Sequence, residues 1–108
     1  MNEIGEKYLP IGTVVILKEA AKRLMITGFC STEEGKEEKI WDYSGCMYPE
    51  GFLASTQTAL FDHEQIVKVY HMGLIDEEEK AFKKQINEFV SGQATIPVPP
   101  IPNINPTE

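Results

Sequence analysis

The 108 residues carry 17 acidic against 10 basic side chains, for a formal charge of −7, and 42% of them are apolar. That length supplies one domain with a modest core plus a tail. The acidic balance lacks the phosphate attraction behind most nucleic-acid binding, so DNA, RNA and anionic membranes are not expected partners.

No run reaches the roughly 18 apolar residues of a membrane helix, and the stretch from Met1 to Glu6 has no basic region leading into an apolar one. Membrane insertion and a secretory leader are therefore not expected, and the expected compartment is the cytoplasm. Cys30 and Cys46 are too few for a disulfide scaffold and lie in strand-like runs, which predicts buried, reduced thiols.

In chain order, Tyr8-Leu9-Pro10-Ile11-Gly12 is extended around its proline and leads into Thr13 to Lys18, a β-branched run that reads as a first strand. Four residues, Glu19 to Lys22, connect it to a second run from Arg23 to Cys30, as in a hairpin. The charged segment Ser31 to Lys39 is broken by Gly35 and predicts an exposed loop. Ile40 to Tyr48 predicts a third strand, in which Gly45 marks a bulge or a close backbone approach. Tyr48-Pro49-Glu50-Gly51 has the proline and glycine placement of a type I turn, with a short strand expected over Phe52 to Ala54. Leu60 and Phe61 should return to the core, Asp62 to Gln65 should turn, and Ile66 to Gly73 alternates as a final strand with one buried face.

A helix over about 76–91 follows. Asp76 is its N-cap, Glu79 stands at the capping-box position, three glutamates occupy the first turn and Gly92 is the stop. Phe82, Ile86, Phe89 and Val90 form its apolar stripe. Residues 93–108 hold five of the seven prolines and read as a flexible, extended tail beyond a single globular domain over 1–92. The tail's Pro97-Val98-Pro99-Pro100 segment has a spacing that docks into proline-binding grooves, but without a flanking arginine a spacer is the favoured reading. The fold class is α+β, mainly β: a small SH3-like barrel, or a curved antiparallel sheet of four to five strands, with one C-terminal helix.

The ionisable residues do not assemble a catalytic set. Asp62-His63-Glu64 is consecutive, so its side chains diverge and a solvated turn is expected. His71 is expected to share a face with apolar strand neighbours. No motif surrounds Cys46, and no metal, cofactor or catalytic residue is expected. The densest signal is the block from Trp41 to Gly51. Trp41, Tyr43, Tyr48 and Phe52 combine apolar bodies with polar or turn-side placement and are the candidate protein contacts, against the alternative that they are core.

Three blocks resemble one family of small Gram-positive bacterial proteins, the domain-of-unknown-function family of serial number four-one-seven-six. They are Tyr8-Leu9-Pro10-Ile11-Gly12-Thr13-Val14-Val15-Ile16-Leu17-Lys18, Leu24-Met25-Ile26-Thr27-Gly28 and Trp41-Asp42-Tyr43-Ser44-Gly45-Cys46-Met47-Tyr48-Pro49-Glu50-Gly51. The likeness runs from about Tyr8 to Val90 and includes Phe61-Asp62-His63 and the acidic helix start. The resemblance implies a link to type VII secretion loci that carry toxins with an LXG targeting domain. It implies an accessory role, chaperone or adaptor, with a toxin or secretion component as protein partner and no catalytic residue to carry over. The chain has no Trp-x-Gly turn, and none of its tyrosines begins a Tyr-x-x-x-Asp/Glu signal, so a helper is expected rather than cargo. An immunity protein that neutralises a cognate toxin is the first alternative, and a small-ligand or enzymatic domain the second.

Overall fold

The computed structural model describes residues 4–54 and 57–92; the proline-rich tail lies outside the described residues. Five antiparallel strands, β1 (Val14–Leu17), β2 (Leu24–Glu33), β3 (Lys36–Met47), β4 (Ala59–Phe61) and β5 (Ile66–His71), pair in the order β4-β3-β2-β1-β5, and one helix, α1 (Glu77–Val90), follows. β4 and β5 are the two ends of the pairing order, yet only residues 62–65 separate them, and these include a 3-10 turn (His63–Gln65). A flat sheet would hold its end strands about 19 Å apart at the usual strand spacing. A compact four-residue link falls short of that span, so the sheet curls and brings its ends towards each other. It stays open, since β4 and β5 form no ladder. The curved antiparallel sheet is thus the form adopted, without the hydrogen-bonded closure of a complete barrel.

The concave face holds the core. Val15, Leu24, Ile26, Tyr43, Phe61 and Ile66 form one cluster with Ile4, Tyr8 and Leu9 of the N-terminal segment and Ile86 of α1. Aromatic edges knit it: Tyr43 lies 5.3 Å from Phe61 and 6.0 Å from Tyr8, and Phe29 lies 5.9 Å from Tyr8. Rings at these separations add about 0.5–1.5 kcal/mol per pair to their area burial.

Gly45 is a close approach, as expected. A Cβ there would stand 2.7 Å from the Met25 carbonyl oxygen and 3.1 Å from the Phe61 ring. At the far end of the sheet, a Cβ on Gly73 would run into the Ile11 carbonyl. The Gly73 N–H donates to the hydroxyl of fully buried Thr13 at 3.0 Å, tying the end of the sheet to its beginning.

Three local expectations change. Residues 31–39 are not a loop: β2 and β3 run on through them to a two-residue tip between Glu33 and Lys36, because ladder bonds satisfy the backbone even where the side chains are solvated. The Pro49 turn closes with the Gly51 N–H donating to the Met47 carbonyl at 2.8 Å, one residue wider than a type I turn. Beyond it, Phe52 to Ala54 forms no strand, with Phe52 and Leu53 turned to solvent and no ladder partner among the described residues. The helix obeys its local code: Asp76 Oδ1 accepts the Glu79 N–H at 2.9 Å.

Candidate functional site

The four aromatic candidates do not assemble into one patch. Tyr43 is fully buried. Its hydroxyl accepts the Leu9 N–H at 3.1 Å and lies 2.7 Å from His63 Nδ1. It is a core residue and not a contact, and its burial, with the Asp42 carboxylate adding to it against the Leu9 N–H, keeps the phenol neutral far above its ordinary range. Trp41 is half-buried on β3 with Lys39 Nζ 4.7 Å from the ring centroid. Tyr48 (38% exposed) lies at the other end of β3, its ring 5.0 Å from the Arg23 guanidinium carbon. Phe52 is 51% exposed just past the turn.

Asp62 and His63 are more structured than a solvated turn. The Gly5 carbonyl can only accept, so His63 Nε2, 2.9 Å away, carries the proton and Nδ1 accepts from Tyr43. The His63 backbone N–H donates to Asp42 Oδ2 at 2.9 Å and the Asp42 N–H to Asp62 Oδ1 at 3.0 Å. Lys7 and Lys39 neutralise Asp42 and Asp62 at 3.3 and 3.0 Å. Partial burial works to raise the Asp62 carboxyl, but the Asp42 N–H and Lys39 outweigh it and hold it below its ordinary range. This is a staple between the N-terminal segment, β3 and β4, assembled from residues far apart in sequence.

The thiols are placed as structural groups. Cys46 is buried and reduced, and Cys30, half-buried on β2, is also free. Burial, and then the Asp42 carboxylate, push the Cys30 thiol up, opposite to what a nucleophile needs. Its neighbour Tyr8 is pushed up to about 12, chiefly by burial. No group of three or more His, Cys, Asp or Glu converges as metal ligands among the described residues. His71 departs from expectation: it is exposed, because three β5 residues, Val69 to His71, face two on β1. That bulge turns it away from the core face.

The most conspicuous surface lies along α1. Of the helical stripe only Ile86 is fully buried, at 1% exposure, while Phe82, Phe89 and Val90 stay accessible. Leu74, the most exposed large apolar residue of the described chain at 75%, and Ile75 extend the strip before the N-cap, and Ile11 faces it from the other wall. Between the N-terminal segment and the helix runs a groove of ≈ 410 Å³ whose apolar walls are Tyr8, Pro10, Ile11, Phe29, Leu74 and Phe82. Phe29 and Phe82 stand 6.1 Å apart across it. Asp76, Glu78, Glu79 and Lys83 rim it, and Glu79 Oε1 is buried without a hydrogen-bond partner among the described residues.

Reading the sequence alone places Phe82 in the helical stripe but misses Leu74, Ile75 and Ile11 as surface. One local signal was present: Ile75 sits at N′, where a hydrophobic staple would pack on N4, but N4 is Lys80. An apolar N′ residue with no staple partner is left facing water.

No helix among the described residues is long and apolar enough to cross a membrane. No curated protein and no solved structure matches the chain. The family described as Domain of unknown function (DUF4176) matches over residues 8–82, from buried Tyr8 through all five strands to Phe82 in the groove, and the chain belongs to that family.

Proposed function

We propose that this protein is a non-catalytic protein-binding module, with the groove and apolar strip of α1 as its primary contact surface. The supporting observation is the uncovered strip Leu74, Ile75, Phe82, Phe89 and Val90, contiguous with a groove walled by aromatic and aliphatic side chains. Apolar surface arranged in this way marks interaction sites, and an amphipathic or extended partner segment is the natural occupant. Trp41, Tyr48 and Phe52 are secondary contacts in this reading, and Tyr43 is withdrawn from the set because it is buried.

In this reading the protein is a cytosolic accessory, chaperone or adaptor, of a type VII secretion toxin system, the setting that the sequence resemblance implies. Co-expression with the LXG portion of a toxin from the same locus tests this. The expected result is a stoichiometric complex that Leu74→Asp or Phe89→Ser weakens at least about tenfold, as removal of a central apolar contact does, with the melting temperature nearly unchanged. An immunity role predicts instead that the chain protects cells from the isolated toxic domain and does not bind the LXG portion. That outcome, or a complex indifferent to both substitutions, would sink the accessory reading.

A further inference from the structure

A second cluster lies on the opposite, convex side of the sheet. The β5 bulge against β1 turns Tyr70 and His71 away from the core, while Val69 packs towards it. Across the same end of the sheet, the Tyr48 N–H donates to the Arg23 carbonyl at 3.0 Å, setting those two side chains beside each other just beyond the Leu24–Met47 pair. The result is a cleft of ≈ 410 Å³ lined by Val14, Arg23, Tyr48, Tyr70 and His71.

The Arg23 guanidinium carbon is 5.0 Å from the Tyr48 ring centroid and 5.1 Å from that of Tyr70, so two rings hold it. Lys68 Nζ lies 4.6 Å from the other partner ring, Tyr70. Contact with a ring face consumes no N–H donor, so the guanidinium keeps its hydrogen-bonding fork.

In a chain of net −7, Lys7, Lys22, Lys39 and Lys80 each stand against a carboxylate. Arg23 and Lys68, like Lys18, Lys36, Lys83 and Lys84, form no ion pair among the described residues; what singles out Arg23 is that no carboxylate lines its cleft and nearby Glu50 is taken by Lys22 at 2.7 Å. A half-buried, ring-held guanidinium with free donors, sharing its cleft with an imidazole and having an ammonium on one of its two rings, is suited to a planar oxyanion.

We propose that this cleft is a carboxylate-binding site that receives an Asp or Glu side chain of a partner polypeptide. Tyr48 and Tyr70 would flank the apolar stem of such a group while Arg23 takes its oxygens. A carboxylate side chain is favoured over inorganic phosphate because only the former has an apolar stem for the Tyr48 and Tyr70 rings to flank. This site is separate from the α1 groove and does not depend on the reading given to it.

NMR titration at low ionic strength tests the proposal with three compounds: an acetylated, amidated tri-glutamate peptide, its tri-glutamine counterpart, and inorganic phosphate. Saturable shifts at Tyr48, Tyr70 and His71 are expected with tri-glutamate and not with tri-glutamine, with phosphate weaker. Arg23→Gln should raise the tri-glutamate Kd at least about tenfold, as loss of a charge-assisted fork does, and Arg23→Lys should restore part of it. Should Arg23→Gln not fold, Lys68→Gln replaces it, with a smaller rise in Kd expected. No saturation with tri-glutamate, a Kd indifferent to the substitution, or tighter phosphate binding would overturn the proposal.

Discussion

Tyr43 joins burial to polarity at a single side chain. Its ring fills the core beside Phe61 while its hydroxyl serves Leu9 and His63. Tyr43→Phe keeps the packing and orphans both partners, which should cost about 1–3 kcal/mol, the range for a buried group left unsatisfied, measured by urea denaturation. Asp62 gives a pH signature whose sign follows from its lowered pKa: the stability it contributes is present above the unfolded carboxylate pKa near 4 and is lost as pH falls through its lower folded value. Asp62→Asn should therefore lower stability at pH 7 and flatten the acid side of the stability profile below about pH 4, read from melting temperatures across that range. At Gly45 even a methyl group collides with the Met25 carbonyl and the Phe61 ring, so Gly45→Ala should destabilise by more than about 1 kcal/mol, as overpacking does.

Elements whose determinants are local could be read directly from the chain, and those that depend on distant partners could not. Asp76, the first-turn glutamates and Gly92 delimit α1 because capping chemistry acts within one turn. The hairpin tip from Ser31 to Lys39 has no apolar alternation and is held by its ladder, which composition does not reveal. Tyr43 and Tyr48 look alike in sequence, but one faces the core and the other solvent: their odd spacing sends them to opposite sides of an extended chain, and which side is covered depends on elements distant in sequence. The convex cleft likewise depends on a bulge in β5 that no residue type announces. On α1, burial and exposure divide one stripe into two functions. Ile86→Ala should cost about 2–5 kcal/mol of folding stability, whereas Phe89→Ser should leave the melting temperature within a few degrees; the two melts, run side by side, check the division.

For the whole molecule, the strand order places β1 between a near neighbour in sequence, β2, and a distant one, β5. Most of the ladder is thus local hairpin, and the last pairing closes a loop of about fifty residues counted from Val14–Leu17 to Ile66–His71. Non-local closure of this kind slows folding, and stopped-flow refolding should show the millisecond-to-second range typical of small barrels rather than the microseconds of helical bundles. Gly73, packed against the Ile11 carbonyl, belongs to that last step, since it fits only when both ends of the sheet are present.

The same lock sets an order of events during synthesis. The three-stranded part made by β1, β2 and β3 can form on the ribosome as soon as it emerges, but β1 then carries an open edge until β5 has been translated. During that interval the nascent chain displays an unpaired strand to every neighbouring polypeptide, and the β5 seal is what converts it into a product safe to release.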